Sequence, residues 1–242
     1  MRREGDAVAI SGDYQYRALT EGMAVQRFWH HTKILAVQKY LPPRTTDVCL
    51  DVGCGSGIVS SFIGKHAGRV LGIDCNPSAV EFATRQFAAD NVAFRLGYID
   101  ATLDEDASVD KIYCLEVIEH VYIDQAVEML GAFHRVLKPG GAVLLSTPNS
   151  HSTWPLIEWT MDRLGLAPKL AEDQHVETYH RRKMAGLCKR CGFDVATNTA
   201  MCLAAPWLAV LHWGLAERCF QWESCWTHNP GSILITVLRK PA

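Results

Sequence analysis

Val48-Cys49-Leu50-Asp51-Val52-Gly53-Cys54-Gly55-Ser56-Gly57 decides how the rest of this chain is read. An apolar strand runs into three alternating glycines and then into a segment of helical character. A turn between a buried strand and a helix must let the backbone pass close to whatever lies at the strand's carboxyl end. Gly53, Gly55 and Gly57 lack the Cβ that would block that approach, and they can take positive φ. The spacing is Asp-x-Gly-x-Gly-x-Gly, whereas the dinucleotide fingerprint is Gly-x-Gly-x-x-Gly with a pyrophosphate on the helix N-terminus. Downstream, Val70-Leu71-Gly72-Ile73-Asp74 reads as a second strand ending in an acid. It falls about twenty residues past the glycines, where a carboxylate can accept both hydroxyls of a ribose. Glycine turn and acidic strand end together imply an adenosine-type ligand.

The 242 residues suit one α/β domain with elaborations. Its expected parts are an N-terminal helical cover (1–43), a cofactor-binding core (44–150) and an acceptor-side elaboration with the last strands (151–242). A net charge of -2 gives no field for duplex nucleic acid, so a nucleic-acid partner is not expected. The local basic run His180-Arg181-Arg182-Lys183, with Lys189 and Arg190, keeps RNA only as a secondary reading. Met1-Arg2-Arg3-Glu4-Gly5-Asp6 leads into no apolar signal region. Nine cysteines, odd in number and mostly in apolar patterns, suit reduced thiols and a cytoplasmic setting. Cys188 and Cys191 form a lone C-x-x-C, read as the end of a helix.

Tyr14 to Tyr40 carries apolar residues at helical spacing, ended by Pro42-Pro43; it precedes the first strand and so can cover the cofactor cleft. Its Arg27, His30, His31 and Lys33 are cations that could meet a ligand carboxylate. Helix is expected over Ile58–His66, strand over Val70–Asp74, and helix over Pro77–Ala88 with Asn76 as N-cap and Pro77 at N1. Strands follow at Asn91–Leu96 and Lys111–Leu115, then a helix Tyr122–Leu137 stopped by Lys138-Pro139-Gly140-Gly141, then a strand Ala142–Ser146. Five strands alternating with helices imply a doubly wound, mainly parallel sheet. In the tail, Thr153–Leu164 and Arg181–Cys191 read as helices, and Gly192-Phe193-Asp194-Val195 opens a strand. An apolar insertion from about Cys202 to Trp226 precedes the last strand, Ile233–Leu238. No charged residue occurs from Val195 to Ala216, but Pro206, His212 and Gly214 oppose a membrane span. The insertion is read as an apolar lid over the acceptor pocket, as an interfacial helix in peripheral membrane contact, or as ordinary core.

At the end of the fourth strand stands Cys114-Leu115-Glu116-Val117-Ile118-Glu119-His120-Val121. If a helical turn begins here, Glu116, Glu119 and His120 share one face at i, i+3 and i+4 beside the cofactor cleft. Three readings stay open. His120 is a general base for an acceptor hydroxyl; or the two carboxylates and imidazole hold a divalent cation, magnesium or zinc; or Glu119 and His120 only brace the next loop. His175 could complete either of the first two.

Asp51-Val52-Gly53-Cys54-Gly55-Ser56-Gly57, Asp74, Glu116-Val117-Ile118-Glu119-His120-Val121, Leu137-Lys138-Pro139-Gly140-Gly141 and Ser146-Thr147-Pro148-Asn149 occur in the order and spacing of class I S-adenosylmethionine-dependent methyltransferases. The resemblance spans about residues 45 to 200. Within the class it is similar to the ubiquinone-biosynthesis O-methyltransferases and their relatives. The small-RNA 3′-end 2′-O-methyltransferases share the carboxylate-histidine run, with a later His, as a magnesium site. The resemblance implies a Rossmann-like class I fold with N-terminal helices and a helical insertion before the last strand, and S-adenosyl-L-methionine as cofactor. Cofactor contacts are expected from Asp51, Gly53, Cys54, Gly55, Gly57, Asp74, Cys75, Tyr98, Ile99 and Leu115. By the same analogy Glu116, Glu119, His120 and His175 become metal candidates, and His120 and His175 the catalytic ones. One departure stands out: many members carry Asp directly after the glycine that ends the third strand, but Gly97 is followed by Tyr98 and Ile99, and Asp100 comes two positions late.

The leading function is therefore methyl transfer to a hydroxyl of a small, lipophilic or aromatic acceptor, the apolar character suggested by Trp154, Trp159, Trp207, Trp213, Trp222 and Trp226. The alternatives are N- or C-methylation, RNA 3′-end 2′-O-methylation, and a non-catalytic binding subunit. A nicotinamide oxidoreductase is opposed by the glycine spacing.

Overall fold

The computed structural model describes residues 11–98, 106–152, 176–226 and 229–242. The strands are β1 (Val48–Val52), β2 (Arg69–Asp74), β3 (Val92–Leu96), β4 (Val109–Leu115), β5 (Leu137–Pro148), β6 (Asp194–Met201) and β7 (Ile233–Arg239). Among the described residues they form one seven-stranded sheet in the order β3-β2-β1-β4-β5-β7-β6. The first five pair in parallel, and β7 lies antiparallel between β5 and β6. The helices are α1 (Tyr14–Thr20), α2 (Ala24–Tyr40), α3 (Ile58–Gly64), α4 (Pro77–Phe87), α5 (Ile123–Val136), α6 (Arg181–Arg190), α7 (Ala205–Leu208) and α8 (Trp213–Glu223). Helices α3, α4 and α5 fill the crossovers from β1 to β2, β2 to β3 and β4 to β5, as parallel pairing requires. The chain runs outward from β1 to β3 and then returns to β4 on the other side of β1. The carboxyl ends of β1 and β4 therefore flank a crevice, the place where such sheets bind ligands.

Strand periodicity divides the core. On β4, Tyr113 and Leu115 join an apolar cluster with Phe28 and Leu35 of α2 and Ile63 of α3. Their neighbours Ile112 and Cys114 face the other way, with Leu130 and Phe133 of α5 and Met184 and Leu187 of α6. Successive side chains on a strand alternate between faces, so one strand supplies both layers. Each large apolar side chain buried this way contributes roughly 1.5–3 kcal/mol. Asn76 caps α4 as expected, its Oδ1 accepting from Ser78 N at 3.0 Å, with Pro77 in the first turn.

Two elements depart from the sequence expectation. The helical run Tyr14–Tyr40 is two helices, broken at Glu21-Gly22-Met23; a Cβ on Gly22 would meet the Ala18 carbonyl and the Gln26 side chain. Lys138-Pro139-Gly140-Gly141 does not separate α5 from a strand starting at Ala142. β5 already begins at Leu137, opposite Val109, and the breakers 138–141 bulge from β5 before pairing resumes at Lys111 and Ala142. Gly140 takes φ +76°, and Lys138 Nζ holds Asp110 at 2.9 Å. The insertion Cys202–Trp226 is the α7–α8 pair, with α8 laid along α2: Phe28 and Trp213 meet edge to face at 5.1 Å, and His31 Nε2 lies 3.1 Å from Glu217 Oε1. Glu223 is buried, and its carboxylate accepts from the backbone N–H groups of Leu203, Ala204 and Ala205 at the start of α7. The helix expected over Thr153–Leu164, with Trp154 and Trp159, lies outside the described residues. No helix among the described residues is long and apolar enough to cross a membrane.

Candidate functional site

At the crevice, Gly53, Gly55 and Gly57 take φ of +70°, +50° and +79°, values that favour glycine. The turn is stitched to β2: Gly53 N and Cys54 N donate to Ile73 O at 2.8 and 3.1 Å. Gly55 N donates to Asp74 Oδ2 at 2.8 Å, and Asn76 N donates to Asp74 Oδ1, also at 2.8 Å. One amide thus holds each carboxylate oxygen and leaves each with a further lone pair, the arrangement that two vicinal ribose hydroxyls need. A Cβ on Gly53 would run into Val117, which follows β4, and one on Gly55 would run into the side chain of Gln15 on α1. The turn is therefore a bare backbone cradle walled from two sides, and it fits an adenosine-type cofactor carrying an amino-acid tail. Sequence reasoning missed Gln15, since a polar residue on a short helix carries no signal of its own; only the placement of α1 before the first strand hinted at a cover.

The other expected cofactor residues are less uniform. Asp51 lies beneath the turn, buried, accepting from Ser60 Oγ of α3 at 2.5 Å. Burial pushes its carboxyl up to about 6, against the pull of Ser60. Its visible work is to tie β1 to α3. Cys54 is buried, and burial holds its thiol well above the usual range. Cys75 follows Asp74 and is half-buried. Leu115 is buried at the end of β4, beside the crevice. Gly97 N donates to Asp74 O at 2.9 Å, which brings half-exposed Tyr98 to the β2–β3 edge. Ile99, Asp100 and His175 lie outside the described residues.

The turn after β4 differs from the α-helical one expected. Glu116 takes φ +58° and Val117 φ -131°, so only a single 3-10 turn forms, Ile118–His120. Glu116, Glu119 and His120 therefore do not line up at i, i+3 and i+4 on one α-helical face. Glu116 is instead engaged from above: Lys33 Nζ of α2 lies 2.7 Å from its Oε2, with the two side chains only 8% and 15% exposed. Burial works against the Glu116 carboxylate, but Lys33 outweighs it and sets the group below its ordinary range. His30, one helical turn before Lys33, is lowered to about 4, first by burial and then by Lys33, so its imidazole is neutral at pH 7. Glu119 is buried; burial and the neighbouring Glu116 push it up to about 8. Its carbonyl accepts from Val176 N and Glu177 N at 3.0 and 3.2 Å, docking the returning chain on the turn. His120 is half-buried. Among the described residues no group of three or more His, Cys, Asp or Glu side chains is placed to hold a metal ion, and Lys33 already supplies Glu116 with a cation.

Around this turn several buried polar atoms lack a hydrogen-bond partner: Glu116 Oε1, Ser146 Oγ of β5 and the Tyr179 hydroxyl. Thr147 stands near enough to Glu119 to favour its charged form without closing a well-formed bond. Each unpaired group costs roughly 1–3 kcal/mol, so a cluster of them at a sheet's ligand edge is the mark of a site awaiting a polar partner.

Comparison with known proteins bears on this geometry. Residues 25–198 match the family model described as a methyltransferase domain. A protein of Mycolicibacterium smegmatis, described as a probable S-adenosylmethionine-dependent methyltransferase, is 33% identical over 179 residues, covering 72% of this chain and 62% of that protein. A ubiquinone biosynthesis O-methyltransferase of Paracidovorax citrulli is 27% identical over 158 residues, covering 63% of this chain and 65% of the relative. This chain thus spans less than two thirds of the length of either. Among solved structures, the methyltransferase in the Haloferax volcanii complex with the Trm112 methyltransferase activator superposes with a TM-score of 0.67 at 21% identity, over 96% of both chains; at that identity the likeness shows the fold.

Proposed function

We propose, from the premise that this chain belongs to the S-adenosylmethionine-dependent methyltransferase family, that it methylates a hydroxyl oxygen of a small lipophilic or aromatic acceptor. The observation that carries the donor half is the Asp74 carboxylate, held at each oxygen by one backbone amide and open at both to a ribose. When bound, S-adenosyl-L-methionine supplies an electrophilic sulfonium methyl. The chain's part is placement: Asp74 holds the ribose, the bare turn at Gly53 and Gly55 admits the amino-acid tail, and Val117 and Gln15 wall it.

The acceptor half rests on the polar cluster at the ends of β4 and β5 and on the names of the relatives, several of which are ubiquinone biosynthesis O-methyltransferases. Glu116 Oε1, Ser146 Oγ and the Tyr179 hydroxyl are buried groups without a partner that could meet an acceptor hydroxyl. His120 is assigned the removal of its proton, with His175 as the second candidate base. No step is routed through a divalent cation, because Glu116 is engaged by Lys33. In this reading residues 1–43 form the cover, 44–150 the cofactor core and 151–242 the acceptor side, all within one domain in the cytoplasm.

The test is two-tiered. S-adenosylhomocysteine should raise the melting temperature where NADH does not. Labelled donor should then pass methyl to phenols or catechols in preference to matched amines, with unchanged rates in a chelator. Failure to bind S-adenosylhomocysteine sinks the donor half; preference for amines or for an RNA 3′ end sinks the acceptor half.

A further inference from the structure

The α7–α8 pair packs one side on α2, and among the described residues nothing covers the other. On that side Leu211 is 78% exposed, Trp222 and Val210 61% each, and Leu215, Trp207 and Trp226 lie between 37% and 46%. On α8, Leu215, Arg218 and Trp222 stand at i, i+3 and i+7, one helical stripe. Trp226, just past its end, meets Trp222 edge to face at 4.4 Å. Six large apolar side chains, three of them Trp, are more than scattered surface hydrophobes, and a soluble face gains nothing from them.

Charge says what covers them. From Val195 to Trp226 the chain has two acids, Glu217 and Glu223. Glu217 is turned to His31 Nε2 at 3.1 Å and Trp213 Nε1 at 3.0 Å. Glu223 is buried in its cap of α7. Both acids of this segment are engaged, Glu217 with its side chain 41% exposed, whereas exposed Arg218 lies within the stripe. The edge shared with α2 carries two more cations: Arg27, over the Trp213 ring at 5.6 Å, and Lys39, whose Nζ reaches Gln221 Oε1 at 3.2 Å. A two-fold pairing of this face with itself would enclose the Arg218 side chains of both copies in one largely apolar interface.

We propose that the α7–α8 face docks on an anionic lipid surface, with Leu211, Leu215 and Trp222 entering the acyl boundary and Arg218 meeting headgroup phosphates. Interfacial helices take this form: an apolar face rich in Trp and Leu, bordered by cations whose stems lie along it. The docked face and the acceptor site lie on opposite sides of the α8–α2 pair, two helix diameters of about 10 Å each apart, with Lys33 on the far side of α2 reaching Glu116. A lipophilic acceptor would thus leave the bilayer close to where it reacts. The docking itself does not depend on the identity of the acceptor, so vesicle binding and methyl transfer fail separately.

The experiment is co-sedimentation of the full chain with vesicles of phosphatidylcholine, and of phosphatidylcholine doped with phosphatidylglycerol. The native chain should partition onto the doped vesicles more strongly than onto the neutral ones, and less so as salt rises. The pair Leu211→Glu with Trp222→Glu, checked for an unchanged melting temperature, should lower partitioning at least about tenfold on both. Arg218→Glu should cost about fivefold or more on the doped vesicles alone; it carries the test if the pair misfolds. The proposal is overturned if the native chain sediments with neither vesicle, if the variants partition as the native chain does, or if the same variants instead dissolve a dimer that binds no lipid.

Discussion

Removing Lys33 tests whether the Glu116 end of the crevice is held by one buried ion pair. Its ammonium lies 2.7 Å from Glu116 Oε2, and neither side chain exceeds 15% exposure. At that distance the direct attraction is about 6 kcal/mol for an effective dielectric of about 20, and desolvation of both groups cancels much of it. The net worth of the pair is therefore modest, but Lys33→Met leaves the Glu116 carboxylate unpaired in a site that already has its Oε1 without a partner. That asymmetry should cost about 3 kcal/mol at pH 7. For a chain of this size the melting temperature should fall by about 6–12 °C. Lys33→Met with Glu116→Gln removes both charges and should recover to within about 1 kcal/mol of the native chain. Urea unfolding of the native chain, both single variants and the double variant closes the cycle. If Lys33→Met costs less than about 0.5 kcal/mol, or if the double variant loses the sum of the singles, the pair does not hold the site.

Other outcomes follow from the same structure. Asp74→Ala should weaken S-adenosylhomocysteine about 10- to 100-fold by calorimetry, the worth of hydrogen bonds to a charged acceptor; an unchanged affinity would remove Asp74 from the cofactor site. Asp51 has its native carboxyl raised to about 6 from an ordinary 3.8, so the folded state holds that proton more tightly. The associated stability is full below the ordinary value and is lost as pH rises through about 6, by about 3 kcal/mol in all. Asp51→Asn should abolish that loss in the difference between the two pH–stability curves. His30 runs the opposite way: its native value is lowered to about 4, so stability present above about 6.5 is lost as pH falls toward 4, and His30→Phe should flatten that acid limb in thermal melts. Glu223→Ala strands three backbone N–H groups at the start of α7 and should cost about 2–4 kcal/mol by urea unfolding, whereas Glu223→Gln should recover part of it.

Local chemistry made the glycine turn and its partner acid on β2 legible from the sequence. Glycines whose φ must be positive, an acid closing a strand and a proline after an Asn cap all act within a few residues of themselves, and Gly53, Asp74 and Asn76 stand where their types demand. The cluster at the ends of β4 and β5 was opaque for the converse reason. Lys33 meets Glu116 across the fold, and although Lys33 was one of four cations on that segment set apart for a ligand carboxylate, nothing local pointed to a carboxylate of the chain itself. The run Glu116–His120 was read as one helical face because spacing alone assumes regular φ, and a left-handed Glu116 broke that assumption. Lys138-Pro139-Gly140-Gly141 misled in the same way: breakers stop a helix locally, but pairing with β4 decides that the sheet has already begun. Glu223, in an apolar insertion, gave no sign that it would turn inward to close α7.

The place of β7 has a consequence for how the chain is made. It is hydrogen-bonded on both sides, to β5 and to β6, yet it comes later in the chain than either. Until Ile233–Arg239 has been synthesised, β5 and β6 each present an unpaired edge, and the edge of β5 borders buried Leu144 and Leu145. Such an edge is a template for pairing with another nascent copy. The emergence of Ile233–Arg239, and not the arrival of the glycine turn, is therefore the moment at which the edges of β5 and β6 are joined and this sheet becomes safe from its own neighbours.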